Sequence, residues 1–402
     1  MRYYDIRITD KNGKLVVPKP FQGLNGQVTN GTGGGTLDTG STYTNFVGGQ
    51  ILAGGLDIGL QIRQYTYGNA AGAKDGSLVT IYGVSLAEVG QAVNLNDMNI
   101  TVKAGMQKGL PLAKPQQAGV LTAGKIFQSI GNWENIDKTI TFLFYDSPKI
   151  ANFQFVWRKG SPLKDAIQTT LAAAMPDAKI NIFISPDLVA LKDEGATYAN
   201  FAEFAQAIKE RTKSSQFNGI ATLTGNKYAG VQMSIQQPTQ LHGSSGGVQF
   251  PQPGGSVSGT PSFAGKAVLV QDMTQPYQES RLPNSPLLLN FEDFVGQPSW
   301  IEPAVIRFKM VMRGDIRVGD FVKLPQTPFG NNFITLPGQS AYTGAPSRNQ
   351  LAFQSSYFIR RVDHYGRLRQ PDASAWVSVF EGVFTKINLS TSGLSGGGGT
   401  AP

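Results

Sequence analysis

Few residues in this chain are of a type that could do chemistry. Its 402 residues include no cysteine, which removes disulfides, thiolate zinc sites and cysteine nucleophiles. Only two histidines are present, His242 and His364. His242 lies in a window, Lys227 to Lys266, whose interior holds no Asp, Glu, Lys or Arg. His364 precedes Tyr365-Gly366 and reads as a solvated turn residue rather than a general base. The patterns H-E-x-x-H, G-x-S-x-G and Walker A do not occur. Glycines at Gly31–Gly35 and Gly48–Gly55 lack the strand-then-helix setting and following lysine that a phosphate cradle needs, so they read as loop residues.

Paired carboxylates are the remaining enzymatic option. Asp315 and Asp320 each follow a glycine, Glu292 adjoins Asp293, and Asp193 adjoins Glu194. A glycosidase needs two carboxyls across one cleft, whereas Gly-Asp is also ordinary turn chemistry. The turn reading is preferred; a carbohydrate-active hydrolase stays as the alternative.

Cations offer a second kind of chemistry. Arg307, Lys309, Arg313 and Arg317 form one cluster, and Arg360, Arg361, Arg367 and Arg369 another around His364. Phosphate contact needs little more than such clusters. Sequence-specific readout needs a recognisable module, and none is present. A nucleic-acid-binding β protein is therefore a further alternative, beside solvated strand faces or salt bridges to a partner subunit.

The elements that would carry these residues are mostly strands. Val305 to Pro325, VIRFKMVMRGDIRVGDFVKLP, alternates with period two and turns on Arg-Gly-Asp and Val-Gly-Asp. Ile306, Phe308, Met310 and Met312 are expected on a buried face; Arg307, Lys309 and Arg313 are expected on the open one. Residues 1–160 read as all-β, with strands at 3–9, 56–67, 78–82, 99–103, 124–130 and 139–145 and a Gly-rich loop over 22–55. Residues 161–217 read as a helix-containing α+β module around a strand at 179–184. Its first helix is expected to start with Ser161 as N-cap and Pro162 as the first helical residue, and its second with a box-like Asn200 and Glu203. Residues 218–388 read as a second β region, with strands at 267–270, 305–312, 321–324, 357–362 and 375–384 and a low-complexity loop over 242–265. Residues 389–402 read as a flexible tail. Two β regions, each closed as a barrel to remove its edges, would flank the helical module.

Composition agrees with a turn-rich β protein. Charged residues make up only 15%, with 48 Gly and 23 Pro. A formal net charge of +8 is compatible with polyanionic or acidic partners without demanding one. No apolar run reaches the ~18 residues of a membrane helix, and MRYYDIRITDKNGKLV has no signal-peptide core, so a soluble protein made in a reducing cytoplasm is expected.

Five stretches carry a family resemblance. GMQKGLPLAKPQQAGVLTAGKIFQSIGNW (residues 105–133) resembles the first β domain of baseplate hub proteins of contractile-tailed bacteriophages. SPLKDAIQTTLAAAMPDAKINIFIS and TYANFAEFAQAIKERT resemble their helical middle. VGQPSWIEPAVIRFKMVMRGDIRVGDFVKLP and RQPDASAWVSVF resemble their second β domain. Together these cover most of residues 80–385. The resemblance implies a mainly β fold of two tail-tube-like barrels around an α+β insert, no catalytic residues and no cofactor. It also implies a homotrimeric ring in the virion tail baseplate, assembled in the host bacterial cytoplasm, that adapts a sixfold tail tube to a threefold spike and surrounds the DNA channel. Implied partners are the spike, the tail tube or tube-initiator protein, baseplate wedge proteins and passing phage DNA. Arg307, Lys309 and Arg313 would then face either the channel or a neighbouring subunit.

Overall fold

In the computed structural model, residues 2–10, 13, 15–16, 43–47, 50–51, 55–67, 76–106, 117, 119–147, 152–176, 178–213, 230–236, 266–272, 286–302, 305–325 and 356–385 are described. Most of the Gly-rich loop 22–55, the whole loop 242–265 with His242, and the tail 389–402 fall outside them.

The first region holds β1 (Arg2–Thr9), the two-residue strands β2 (Tyr43–Thr44), β3 (Phe46–Val47) and β4 (Gln50–Ile51), then β5 (Asp57–Tyr65) and β6 (Ser77–Tyr82). A short helix, α1 (Leu86–Gln91), precedes β7 (Asn99–Met106), β8 (Val120–Glu134) and β9 (Asp137–Tyr145). Next come β10 (Phe153–Trp157), α2 (Leu163–Ala174), β11 (Lys179–Phe183), β12 (Glu194–Tyr198), α3 (Phe201–Thr212), β13 (Gln232–Gln236) and β14 (Ala267–Gln271). The last region holds β15 (Leu287–Leu288), β16 (Ser299–Glu302), β17 (Val305–Val311), β18 (Phe321–Lys323), β19 (Ser356–Arg367) and β20 (Trp376–Thr385). The fold is mainly β with an α+β middle.

One large sheet joins the two β regions, in the order β16-β17-β20-β19-β5-β6-β9-β8-β7-β1-β2. The seam is the antiparallel ladder between β19 and β5, running from Arg361 opposite Tyr65 to Arg367 opposite Gly59. Each half surrounds its own core. Ile58, Leu60 and Ile62 alternate inward along β5 and meet Val79 and Ile81 of β6, Phe142 and Phe144 of β9, and Ile6 and Ile8 of β1. Ile306, Phe308 and Met310 of β17 pack with Val362 of β19 and Phe380 of β20, and the Phe308 and Phe380 rings stack at 5.2 Å. A third core belongs to the middle: α2 and α3 bury Leu163, Ile167, Leu171, Phe201, Phe204 and Ile208 against Phe153, Phe155, Met233 and Val268.

Several sequence expectations change here. β14, expected within the second β region, instead pairs parallel with β11 and antiparallel with β13, a strand the alternation does not mark, in a separate three-stranded sheet. β10, a strand not foreseen in the span 1–160, pairs with β12 and lines the same middle core. The reason is burial: two apolar helix stripes need more sheet than β11 alone supplies. Met312 also moves, packing in the first core with Trp376 rather than in the second.

Helix starts follow local chemistry. Asn200 Oδ1 accepts the Glu203 amide at 2.9 Å, as the capping pattern predicts. At α2 the cap position belongs to Pro162, while Ser161 Oγ donates to the Arg158 carbonyl instead. Helix α1 has a full capping box between Ser85 and Glu88, a signal legible in the sequence as S-x-x-E.

Candidate interaction surface

The cations singled out from the sequence lie on or beside the ladder β17-β20-β19-β5. Arg307 stands opposite Glu381, and Glu381 opposite Arg361. Two residues along the strands, Lys309, Val379, Asp363 and Arg63 form the next row of the same face. Arg307 and Lys309 are exposed, as the alternation in β17 predicts.

This face is a ladder of ion pairs. Arg307 donates to Glu381 at 2.6 Å, and Arg360 donates both to Glu381 at 2.9 Å and to Glu302 at 3.1 Å. Arg361 pairs with Asp363 at 2.8 Å. A register shift between Ile359 and Arg361 lets Arg360 and Arg361 serve different carboxylates although they are adjacent in sequence. Burial would raise the Glu381 carboxyl, but the two arginines outweigh it and hold its pKa below the usual value. For Asp363 burial wins over Arg361 and its pKa rises.

Arg313 does not share this surface, which corrects its expected exposure. β17 ends at Val311, so the alternation stops before Arg313, and the side chain turns inward. It donates to both carboxylate oxygens of Asp315 at 2.7 Å and to Asp293 at 3.1 Å. Burial alone would lower the Arg313 pKa; Asp315 and Asp293 reverse that and raise it. The Arg-Gly-Asp tripeptide is thus closed on itself and buried. Of the candidate carboxylates, Asp315 is held by Arg313, and Asp320 accepts the Arg317 amide at 2.9 Å in a turn. Asp293 joins the Arg313 cluster, while Asp193 accepts the Lys159 amide at 2.7 Å.

His364 is also not where the sequence suggested. It sits within β19, 1% exposed, with Nδ1 2.8 Å from Ser378 Oγ. That pair has the spacing of a nucleophile and its base. Ser378 Oγ, however, accepts the Arg313 amide at 3.0 Å and donates to the Arg313 carbonyl at 3.2 Å. With its proton so used, the serine takes a hydrogen bond from the Nδ1–H tautomer of a neutral imidazole. Burial pushes the His364 pKa down to about 3. Ser378 is likewise fully buried, and the pair braces β19 against β20.

The halves are cross-tied elsewhere. The Arg2 guanidinium, at the start of β1, donates to the Arg367 carbonyl at 2.8 Å and to the Asp372 carbonyl at 2.7 Å. Trp376 Nε1 donates to the Gly105 carbonyl at 3.0 Å. Among the described residues, no group of three or more His, Asp or Glu side chains converges as a metal site, and no helix is long and apolar enough to cross a membrane.

No protein-family description matches this sequence, and no curated protein matches it either. Solved structures do resemble the fold. A component of the E. coli type VI secretion system, described as structurally similar to the T4 bacteriophage tail proteins gp27 and gp5, aligns with a TM-score of 0.43 at 8% identity, over 83% of this chain and 74% of its own. The 43 kDa tail protein of prophage MuSo2 from Shewanella oneidensis aligns with a TM-score of 0.41 at 7% identity, over 96% of this chain and 98% of its own. A tail protein from Neisseria meningitidis MC58 aligns with a TM-score of 0.35 at 7% identity, over 82% of this chain and 96% of its own.

Proposed function

We propose that this chain is a structural hub of a contractile-tail baseplate, whose copies form a trimeric ring that adapts a sixfold tube to a threefold spike and encloses the DNA channel. The observation that carries this reading is the β19–β5 seam, which joins two β cores through one continuous sheet. The ordered sequence resemblances to hub proteins support the same reading. In it the tube or tube initiator, the spike and the wedge proteins dock around the ring, the domains follow the three cores, and Arg307 and Lys309 face the channel or a neighbouring subunit.

The two alternatives draw less support. A paired-carboxylate hydrolase needs free carboxyls across a cleft, and Asp315 is held by Arg313. A nucleic-acid binder needs unpaired cations, and Arg307, Arg313, Arg360 and Arg361 already pair with carboxylates. The test is imaging of an assembled tail tip with this chain labelled: a threefold ring on the axis supports the hub, and a peripheral position sinks it.

A further inference from the structure

Two exposed patches lie outside the ion-pair face, and their chemistries match. The first is the tip of the β8–β9 hairpin. Trp133 is 61% exposed and Ile136 is 89% exposed. Trp133 Nε1 donates to the Asn135 carbonyl at 2.8 Å, which fixes the indole on the turn. Glu134 and Asp137 stand directly opposite each other across the strands, both exposed. Like charges in that relation are destabilising in an isolated hairpin, and an approaching cation relieves them.

The second patch is a knuckle of the middle module, where the chain from Arg158 to Leu163 runs beside Leu188 to Asp193. Gly160 donates to the Ala190 carbonyl at 2.9 Å, Ala190 to the Ser161 carbonyl at 3.1 Å, and Lys159 to the Asp193 carboxylate at 2.7 Å. The knuckle exposes Leu191 (91%) and, on the adjoining β10, Val156 (60%). Around them stand the exposed cations Arg158, Lys159 and Lys192.

We infer that the hairpin tip of one copy docks on the middle-module knuckle of a second copy, Trp133 and Ile136 against Val156 and Leu191, with Glu134 and Asp137 facing Arg158 and Lys159. Charge complementarity selects this occupant: an acidic apolar tip and a basic apolar knuckle occur on the same chain. Within one copy the tip is held away from the joint of the middle module. The middle module joins the sheet at the far end of β9, where Tyr67 donates to Asp146 at 2.6 Å and Lys266 Nζ donates to the Asp146 carbonyl at 2.9 Å. The tip lies at the other end of that nine-residue strand, roughly 27 Å away. The contact is head-to-tail, the class of interface that closes into rings when its rotation permits. It deepens the ring reading above and rests on it.

The test uses the full chain and charge reversal, with circular dichroism as the folding control. One variant carries Glu134→Lys and Asp137→Lys; a second carries Arg158→Glu and Lys159→Glu, whose side chains make no described ion pair. Self-association is read by sedimentation velocity. Each variant alone should weaken association by roughly tenfold or more, and the four changes in one chain should restore it. Wild type that associates with both variants unchanged overturns this contact and leaves the ring reading standing. A wild type that stays monomeric at every concentration, including with tube and spike proteins added, overturns both.

Discussion

Arg313 donates two parallel hydrogen bonds to the carboxylate of Asp315, each 2.7 Å long, inside a turn that is closed to solvent. Removing one member of a buried pair leaves an uncompensated charge, at about 3–5 kcal/mol. Arg313→Ala removes this cation from both Asp315 and Asp293, so the unfolding free energy read by urea titration should fall by about 3–5 kcal/mol. A midpoint within experimental error of wild type would show the cluster to be solvated.

Gly314 of the same turn abuts Gly119. A Cβ on Gly314 would lie 3.1 Å from the Gly119 carbonyl carbon and 3.2 Å from two backbone carbonyl oxygens. These are backbone atoms of a loop tied by the Gly314 amide to the Gln117 carbonyl at 2.9 Å, so they yield little. Gly314→Ala should destabilise by about 1–3 kcal/mol, measured by thermal unfolding. An unchanged melting temperature would mean that the two loops separate freely.

Phe308 is fully buried and stacked on Phe380. Phe308→Ala should cost about 3–5 kcal/mol, and Phe308→Asp should prevent the second core from forming because its charge has no partner there. Near-ultraviolet circular dichroism of Phe308→Asp reads this directly; a native spectrum would refute the inward assignment.

His364 makes stability depend on acid. Its pKa in the fold is about 3, below the ordinary 6.5, so between these values the unfolded chain binds a proton that the fold does not. Stability contributed by the neutral ring is full above pH 6.5 and is lost as pH falls toward 3. The loss from this group amounts to about 3 kcal/mol by pH 4. In His364→Asn, which keeps a donor for Ser378, the denaturant midpoint should fall less steeply over that window than in wild type. Parallel pH profiles would assign the acid sensitivity elsewhere.

The ion-pair ladder predicts weak DNA binding. Arg307, Arg360 and Arg361 are each engaged by a carboxylate, so few phosphates can be neutralised without breaking pairs. The slope of log affinity against log salt should be shallow, about −1 to −2. A slope near −6 would show that the arginines exchange their carboxylates for phosphate.

Much of the fold was legible in the sequence because alternation reports which face of a strand is apolar. Ile58, Leu60, Ile62, Ile306, Phe308 and Met310 all point inward as their spacing requires. The start of α3 was legible because Asn200 and Glu203 meet within one turn. Arg313 departs from the alternation because period two holds only while the strand lasts. His364 lies in a strand although Tyr-Gly after it resembles a turn, because β19 continues through to Arg367.

The sequence by itself determined the strand faces, the α3 cap, the absence of thiol chemistry and the Asp320 turn, all of which depend on neighbours a few residues apart. Tertiary structure alone decided which strands pair and which charges meet. Arg307 and Glu381 are separated by 74 residues, and β5 meets β19 across most of the chain. Alternation says which side of a strand seeks burial but not which ladder will cover it. The choice is made where whole faces compete for burial, and there Arg307, Arg313, Arg360 and Arg361 met their carboxylates.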